Sequence, residues 1–242
     1  MKSVFARSLF KSYDGVNAVD GIDLDVDEGQ IFGFLGPNGA GKSTVNKLLT
    51  TLIQPTSGKI SVLEIDSAKE PLRIRKKIGV VLQQPSYEPT LSVEKSLEKY
   101  GMMWNLDKKT RMDKTEELLT AFNLVEIRKK KNEDLSIGQR RRVQVAREFM
   151  HDMDLLFLDE PTVGLDPTAR RQLLDFLKIK VKENNLTIFY TTHVLTEAEY
   201  LCDSIAIINK GRIITVDSPN ELKNRFGREK QSRFMFPLIL KH

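Results

Sequence analysis

The sequence predicts an α/β protein whose mostly parallel sheet is interrupted by an inserted block of helices. Short apolar runs typical of buried strands alternate with helical stretches before residue 83 and again after residue 155. This alternation favours parallel strands joined by right-handed crossovers. Between about residues 86 and 153 the strand patterns stop, and apolar residues recur at helical spacing among many charges.

Strands are expected at the start of the chain, over residues 2–27. There Ile22, Leu24 and Val26 alternate with aspartates, the period of a strand with one face in water. The elements expected next are a buried strand at 31–35, a helix from about 42 to 52, a turn at 54–58, and strands at 59–63 and 78–82. After the helical block we expect a strand at 155–158, a helix near 168–183, a strand at 186–190, a helix near 195–202, and strands at 204–208 and 212–216.

The composition is that of a folded globular protein. Of 242 residues, 40% are hydrophobic and 29% are charged, which excludes intrinsic disorder as the main state. The net charge of +5 is small, which argues weakly against a nucleic-acid-binding protein. No run approaches the roughly 18 to 20 apolar residues of a membrane span, and the first residues lack the apolar core of a secretory signal. A single cysteine, Cys202, excludes an internal disulfide.

Residues 36–43, here called the phosphate loop, have the sequence Gly-Pro-Asn-Gly-Ala-Gly-Lys-Ser and fit G-x-x-x-x-G-K-[ST] at every fixed position. The loop follows an apolar strand and precedes a helix, so backbone N–H groups and the positive end of the helix can hold a phosphate. Lys42 is expected to reach the β- and γ-phosphates, and the Ser43 hydroxyl to bind Mg²⁺. Residues 209–212 lack the aspartate of a guanine-specific motif, so adenine is favoured.

Two adjacent acids, Asp159 and Glu160, end the buried strand predicted at 155–158. The carboxyl ends of parallel strands face the ligand crevice of an open α/β sheet. Asp159 is therefore expected to hold Mg²⁺ through water, and Glu160 to polarise the water that attacks the γ-phosphate. A helix cap or ordinary surface charge is the alternative interpretation.

Residues 135–139, Leu-Ser-Ile-Gly-Gln, are here called the signature segment, and they precede a predicted helix. Ser136 and Gly138 would place a hydroxyl and free N–H groups at the positive end of that helix, which predicts a second anion site. The alternative is a serine cap followed by a solvated basic turn at residues 140–142. Three arginines in a first helical turn are mildly unfavourable, and a bound anion would offset this cost.

Taken together, these motifs resemble one family, the nucleotide-binding subunits of ABC (ATP-binding cassette) transporters. The resemblance covers about residues 2–225 and rests on five segments in order: GPNGAGKST at 36–44, LSIGQ at 135–139, LLFLDEP at 155–161, GLD at 164–166 and the lone His193 downstream. It implies a P-loop NTPase with a RecA-like, mostly parallel sheet, an N-terminal antiparallel β subdomain, and a helical subdomain inserted at about 86–153. The cassette would span 1–225, leaving 226–242 as a tail of unknown role.

The resemblance also implies a head-to-tail dimer around two ATP molecules. Each ATP would lie between the phosphate loop of one subunit and the signature segment of the other. The residues implied in nucleotide binding are Tyr13, which would stack on adenine, then Gly36, Pro37, Asn38, Gly39, Ala40, Gly41, Lys42, Ser43 and Thr44, with Ser136, Gly138 and Gln139 reaching the partner's ATP. Asp166 would belong to the loop that joins the subunits.

By the same resemblance, three residues would act in hydrolysis: Glu160, His193 as the switch histidine on the γ-phosphate, and Gln83 beside Mg²⁺ and the attacking water. Gln84 is the alternative to Gln83. The metal ligands would be Ser43, Gln83 and Asp159. Ile137 departs from the family's commonest motif, L-S-G-G-Q, and we expect it to disfavour a positive φ and to add bulk.

The implied function is an ATPase, converting ATP and water to ADP and phosphate, that powers transport through a separate integral membrane permease. The pattern at 161–167 and the stretch after Gln83 look most like the drug, polysaccharide and lipid export (ABC-2 type) branch. The expected location is the cytoplasmic face of the membrane, with a second ATP-binding subunit, identical or a close paralogue, and no nucleic acid. An importer-type subunit and a soluble, non-transport ABC ATPase are the alternatives.

Overall fold

Ten strands run through the part of the chain that the computed structural model describes, residues 1–84 and 86–226. They are β1 (Lys2–Tyr13), β2 (Val16–Asp27), β3 (Ile31–Leu35), β4 (Ser57–Val62), β5 (Ile65–Asp66), β6 (Ile78–Val81), β7 (Leu155–Asp159), β8 (Thr187–Thr192), β9 (Ser204–Asn209) and β10 (Arg212–Asp217). The strand positions predicted from apolar patterning are each within three residues of those observed.

The strands form two sheets. A four-stranded antiparallel sheet has the order β2-β1-β4-β5, and a six-stranded sheet has the order β10-β9-β3-β8-β7-β6. Within the larger sheet all neighbouring strands are parallel except β10, which runs antiparallel to β9 at the edge. The predicted fold class, a mostly parallel α/β core with an N-terminal antiparallel sheet, is confirmed.

The helices are α1 (Lys42–Leu49), α2 (Pro71–Arg75), α3 (Val93–Met103), α4 (Lys108–Ala121), α5 (Ile137–Glu148), α6 (Pro167–Asn184), α7 (Leu195–Leu201) and α8 (Pro219–Phe226). Between β6 and β7 the described chain forms α3, α4, α5 and two 3₁₀ turns. The subdomain limits at about 86 and 153 stay a prediction, and the tail lies outside the described residues from 227 onward. In the described ranges, every helix is too short or too polar to cross a lipid bilayer.

Polar side chains set where the helices begin. Ser92, Asp107, Ser136 and Asp166 each accept a hydrogen bond from a backbone N–H of the first turn that follows, which satisfies a donor with no partner inside the helix. Helix α1 ends at Leu49, three residues before the predicted end, because Thr51 adopts a left-handed φ of 60° that a helix cannot continue through.

Apolar residues cover both faces of the large sheet, as parallel strands require when layers pack on both sides. Ile31 and Leu35 of β3 belong to the core shared with the helical segment, whereas Phe32 and Phe34 face the core shared with the antiparallel sheet. On the second face Phe189 lies 5.8 Å from Phe32 between ring centroids. This burial on both faces is the reason why β3 is apolar along its whole length.

The register places three strand ends side by side. Leu35 of β3 pairs with Thr192 of β8, and Asp159 of β7 pairs with Thr191 of the same strand. The loops that follow these strands therefore leave the sheet at one edge and within reach of one another.

Asn46 in α1 is a polar residue at an apolar position, and it yields a stability prediction. It is fully buried, and neither its Nδ2 nor its Oδ1 has a hydrogen-bond partner among the described residues. Replacing it with leucine, which has the same branching, removes the desolvated amide. We expect Asn46→Leu to raise the free energy of unfolding by about 1 kcal/mol in urea denaturation.

A control is Asn184→Leu at the exposed end of α6, which we expect to change stability by less than about 0.5 kcal/mol. A loss of stability in Asn46→Leu would contradict the interpretation that the amide is unsatisfied.

Candidate functional site

The phosphate loop lies between β3 and α1 and is held against neighbouring backbone. Gly41, which precedes α1, has a φ of 106°, and a Cβ there would lie 2.5 Å from the carbonyl oxygen of Ala18. A Cβ on Gly36 would lie 2.4 Å from the carbonyl oxygen of Ile208. Only glycine fits such close approaches. The loop's path is thus fixed by β2 and β9, and it leads the chain directly into the N-terminus of α1.

Lys42 is buried at the centre of this loop, with 5% of its side chain exposed. Its ammonium donates to the carbonyl oxygens of Gly36 at 2.9 Å and Pro37 at 3.2 Å, and it lies 3.3 Å from Oε1 of Glu160. A buried ammonium needs such oxygens to replace lost hydration. These contacts hold one positive charge against the backbone of the phosphate loop, as a phosphate site requires.

The two predicted acids are both buried, but their environments differ. Oδ1 of Asp159 accepts a hydrogen bond from Thr191 Oγ1 at 2.5 Å. Glu160 is the first residue after β7 and has a φ of 50°, a left-handed conformation that costs a residue with a Cβ roughly 1–2 kcal/mol. Its N–H is held by the carbonyl oxygen of Thr191 at 3.1 Å. With this backbone conformation, Oε1 of Glu160 lies 3.3 Å from the ammonium of Lys42 in the phosphate loop.

The Glu160 carboxylate contacts three residues that are far apart in sequence, Lys42, Gln83 and His193. We call these three residues and Glu160 the Glu160 cluster. Besides Lys42, Oε1 lies 3.2 Å from Nδ1 of His193, and Oε2 accepts a hydrogen bond from Gln83 Nε2 at 3.4 Å. The His193 side chain is 43% exposed, so it lies at the open side of the cluster. Four residues predicted to act on the γ-phosphate, the attacking water or Mg²⁺ therefore come together.

Helix α5 holds the backbone of the segment that carries Gln83, a feature that the sequence analysis missed. The buried guanidinium of Arg141 donates to the carbonyl oxygens of Leu82 at 2.8 Å and Gln83 at 2.5 Å, and to Oε1 of Gln144 at 3.0 Å. Burial lowers the pKa of Arg141, and Asp159 and Glu160 oppose that shift. The alternative of a solvated basic turn is wrong for Arg141, which faces the core.

A sequence signal for this contact existed. The buried positions of α5 include 141, 144, 145 and 148, the spacing of one helical face, so a polar side chain at 141 or 144 had to meet the protein interior. What the sequence could not supply was the identity of the carbonyl groups that this face meets.

The signature segment forms the start of α5. Ser136 Oγ accepts from the Gln139 N–H at 3.2 Å, and Gln139 Oε1 accepts from the Ser136 N–H at 3.0 Å, a reciprocal capping box. Ile137 is the first helical residue and is 64% exposed, and it is not among the residues with positive φ. This agrees with the expectation that an isoleucine at position 137 disfavours a positive φ, and the capping box makes the position helical.

The signature segment packs against the predicted interface loop of the same chain. A Cβ on Gly138 would lie 2.6 Å from the carbonyl oxygen of Gly164, whose φ is 82°. Two residues later Asp166 caps α6 by accepting from the Ala169 N–H at 2.9 Å, and this hydrogen bond lowers the pKa of Asp166. Residues 136–139 and 164–166 thus form one continuous surface.

Three groups of predicted residues lie apart from the Glu160 cluster. Tyr13 ends β1 with 46% of its surface exposed, and the Lys11 ammonium lies 5.1 Å from its ring centroid. In the described part of the chain, no hydrogen bond or ion pair links Tyr13, the signature segment or Asp166 to Lys42, Glu160 or His193.

The oxygen ligands that Mg²⁺ prefers are present, although they are few. Within residues 1–84 and 86–226 no group of three His, Cys, Asp or Glu side chains is arranged to hold a metal ion. Magnesium bound with a nucleotide takes one or two protein oxygens and completes its shell with phosphate and water. Asp159 at the end of β7 and Ser43 in the first turn of α1 fit that requirement.

Two sequence models of known protein families match the chain. The sequence model of the family described as "ABC transporter" matches residues 19–163, more than half of the chain. A second model, described as "AAA domain, putative AbiEii toxin, Type IV TA system", matches the shorter segment 131–196.

Among characterised relatives, the linearmycin resistance ATP-binding protein LnrL of Bacillus subtilis is 37% identical over 92% of this chain and 71% of its own length. The daunorubicin/doxorubicin resistance ATP-binding protein DrrA of Streptomyces peucetius is 38% identical over 93% of this chain and 68% of its own.

Solved structures show the same fold. An ATP-binding subunit of an ABC transporter superposes with a TM-score of 0.85 at 26% identity, covering 98% of this chain and 97% of that one. The ATP-binding cassette MJ0796, solved as a dimer in a post-hydrolysis state bound to ADP and Pi, gives a TM-score of 0.83 at 25% identity, covering 89% and 98%.

The contact between Gly138 and Gly164 yields a prediction. Alanine is the better helix former by about 1 kcal/mol, but its Cβ would press on a backbone oxygen that cannot move alone. We expect Gly138→Ala to lower the free energy of unfolding by about 1–2 kcal/mol in urea denaturation.

Gly101→Ala in α3 is the matched control, because its Cβ would meet side-chain atoms of Met150 and Arg111, which can shift. We expect it to stay within about 1 kcal/mol of the parent. Equal losses in both variants would show that the Gly164 contact is not the cause.

Proposed function

The chain belongs to the ABC transporter family as an ATP-binding subunit that hydrolyses ATP, and on that premise we propose how its residues bind ATP, hydrolyse it and use the energy. The observation that carries the proposal is the convergence of Lys42, Gln83 and His193 on Glu160. Relatives named as resistance ATP-binding proteins support export as the direction of transport.

ATP binding is assigned to the phosphate loop and the first turn of α1. Backbone N–H groups of Gly36 and of residues 38–44 surround the β- and γ-phosphates, and the Lys42 ammonium exchanges its carbonyl contacts for phosphate oxygens. Tyr13, exposed at the end of β1, stacks on the adenine ring. Ser43, Gln83 and Asp159 hold Mg²⁺, which neutralises charge on the phosphate oxygens when bound.

Hydrolysis is assigned to the Glu160 cluster. Glu160 accepts a hydrogen bond from the attacking water and draws off its proton as the water oxygen bonds to the γ-phosphorus. The bond from the γ-phosphorus to the bridging oxygen then breaks, releasing ADP and phosphate. Lys42 and His193 donate to the γ-phosphate oxygens, where negative charge must be stabilised, and the Gln83 amide orients the water.

Two copies of the chain complete each site. In the described residues the signature segment and Asp166 make no hydrogen bond or ion pair with the Glu160 cluster, and we assign them to a nucleotide on a second copy arranged head to tail. Ser136, Gly138 and Gln139 would contact the partner's γ-phosphate through the hydroxyl, an N–H and the amide at the positive end of α5. The related cassette MJ0796 was solved as a dimer, which supports this arrangement.

A permease partner is proposed to dock beside the helical segment. A groove of about 260 Å³ opens there, lined by Leu52, Arg75, Tyr100, Trp104 and Glu148 among others. Next to Trp104, Met102 and Met103 are 58% and 65% exposed. The groove also includes Leu82, next to Gln83, so a docked partner helix could sense the state of the Glu160 cluster. Docking there would place the chain at the cytoplasmic face of a membrane.

Co-purification tests the permease proposal. We would tag the chain, solubilise native membranes in ATP and Mg²⁺, and identify the bound proteins by mass spectrometry. An integral membrane protein with several spans is the expected partner. Ribosomes, nucleic acid or soluble proteins alone would contradict transport, and an added solute-binding protein would indicate import in place of export.

The role of Glu160 gives a kinetic prediction. We expect Glu160→Gln to bind ATP normally, because Lys42 and the phosphate loop are intact, but to hydrolyse it about 10² to 10⁴ times more slowly, the usual scale for a positioned base. ATP binding is measured by equilibrium dialysis and turnover by phosphate release. Glu183→Gln, at the exposed end of α6, is the control and should keep full turnover. Near-normal turnover in Glu160→Gln would remove Glu160 from this role.

A second prediction concerns Ile137, the departure from the family's commonest motif. Because Ile137 is exposed and the cap is formed by Ser136 and Gln139, its side chain is not needed to build α5. We expect Ile137→Gly to keep ATP turnover within about threefold of the parent, the equivalent of less than about 1 kcal/mol in the barrier. Complete loss of turnover would show that the isoleucine is required.

A further inference from the structure

Glu197 is a buried acid with no role in the site described above. It lies in α7, and 3% of its side chain is exposed. Its Oε2 accepts three hydroxyl hydrogen bonds: from Thr162 Oγ1 at 2.9 Å, Tyr190 OH at 2.9 Å and Thr192 Oγ1 at 3.1 Å. Its Oε1 lies 3.3 Å from the Arg170 guanidinium of α6. One carboxylate therefore accepts three hydrogen bonds through Oε2, and its Oε1 forms an ion pair with Arg170 without a hydrogen bond.

Two of these donors flank residues of the Glu160 cluster. Thr162 is two residues after Glu160, in the loop that leads to Gly164 and Asp166. Thr192 immediately precedes His193, and its hydroxyl also accepts from the Val194 N–H at 3.0 Å, so it closes the turn that carries the histidine. The direction of every hydrogen bond is fixed, because a carboxylate only accepts.

We propose that Glu197 is a positioning residue that sets the turn of His193 and the loop after Glu160 relative to each other. The proposal rests on the hydrolytic roles proposed above for Glu160 and His193. Glu197 touches no substrate. It acts by orienting the hydroxyls of Thr192 and Thr162, which hold the backbone on either side of the reacting groups.

The chemistry of the neighbours favours a carboxylate at this position. Burial and the adjacent Glu197 charge raise the pKa of Tyr190 well above its usual value, which keeps the phenol a hydrogen-bond donor. An amide in place of the carboxylate would keep one acceptor oxygen, but its NH₂ would face donors, either the hydroxyls or the Arg170 guanidinium. With the NH₂ at the Oε2 position, three hydroxyls would lose their acceptor, and with it at the Oε1 position, the ion pair with Arg170 would be lost.

The test is ATP turnover by the purified full chain carrying Glu197→Gln, an isosteric change. We expect kcat per bound nucleotide to fall about 10- to 100-fold, the scale of a hydrogen bond to a buried charge, with KM for ATP within about twofold of the parent. The phosphate loop is not altered, so ATP binding persists. Because the hydrolysis rate is divided by the amount of bound nucleotide, a smaller folded fraction of the variant protein does not lower the measured kcat.

A double-mutant cycle separates positioning from general destabilisation. If Glu197 acts through His193, then Glu197→Gln should lower kcat little further when His193 is already alanine. Thr192→Val, which removes one hydroxyl and keeps the shape, should show the same non-additivity, and it serves if Glu197→Gln fails to fold. Glu199→Gln on the same helix, whose acid pairs with Lys223, is the control and should leave kcat unchanged.

Several outcomes would overturn the proposal. Equal fold-losses of kcat with and without His193 would show that Glu197 acts independently of the histidine. Unchanged kcat in Glu197→Gln and Thr192→Val, while Glu160→Gln and His193→Ala do lose turnover, would refute the positioning role alone. Normal turnover in Glu160→Gln and His193→Ala would refute the hydrolytic roles and this inference together.

Discussion

The buried ion pair between Lys42 and Glu160 joins the two halves of the site, and most of the surrounding structure serves to hold it. Both side chains are more than nine-tenths buried, so each needs partners to replace water. The Lys42 ammonium donates hydrogen bonds to two carbonyl oxygens of the phosphate loop. The Glu160 carboxylate accepts a hydrogen bond from Gln83 and lies beside the His193 ring. A nucleotide phosphate entering the loop must rearrange these same contacts. The pair thus couples phosphate binding to the position of the proposed base.

This arrangement depends on the register of the large sheet. β3, β7 and β8 are buried on both faces, and their pairing brings the phosphate loop, Glu160 and His193 to one edge of the sheet. The left-handed backbone at Glu160 is a strained feature on an otherwise regular strand end. The buried packing beneath it supplies the stability that allows such strain.

What could be predicted from the sequence was local. The phosphate loop, the two acids after β7 and the cap at Ser136 are short motifs whose chemistry lies within a few residues. The roles of Arg141 and Glu197 could not be predicted in this way, because their partners Gln83 and Thr162 are distant in sequence and only the folded sheet brings them together. Isoleucine at position 137 was expected to disfavour a positive φ, and the capping box formed by Ser136 and Gln139 gives that position a helical backbone with which isoleucine is compatible.

The central claim is that one nucleotide is held between the phosphate loop of one copy and the signature segment of another. Sedimentation velocity of the purified chain with Mg²⁺ and a slowly hydrolysed ATP analogue tests it most directly, because every other step follows from that geometry. The account predicts a dimer with two bound nucleotides that returns to single chains when the analogue is removed. A chain that binds the analogue fully and still sediments as a single copy would contradict it.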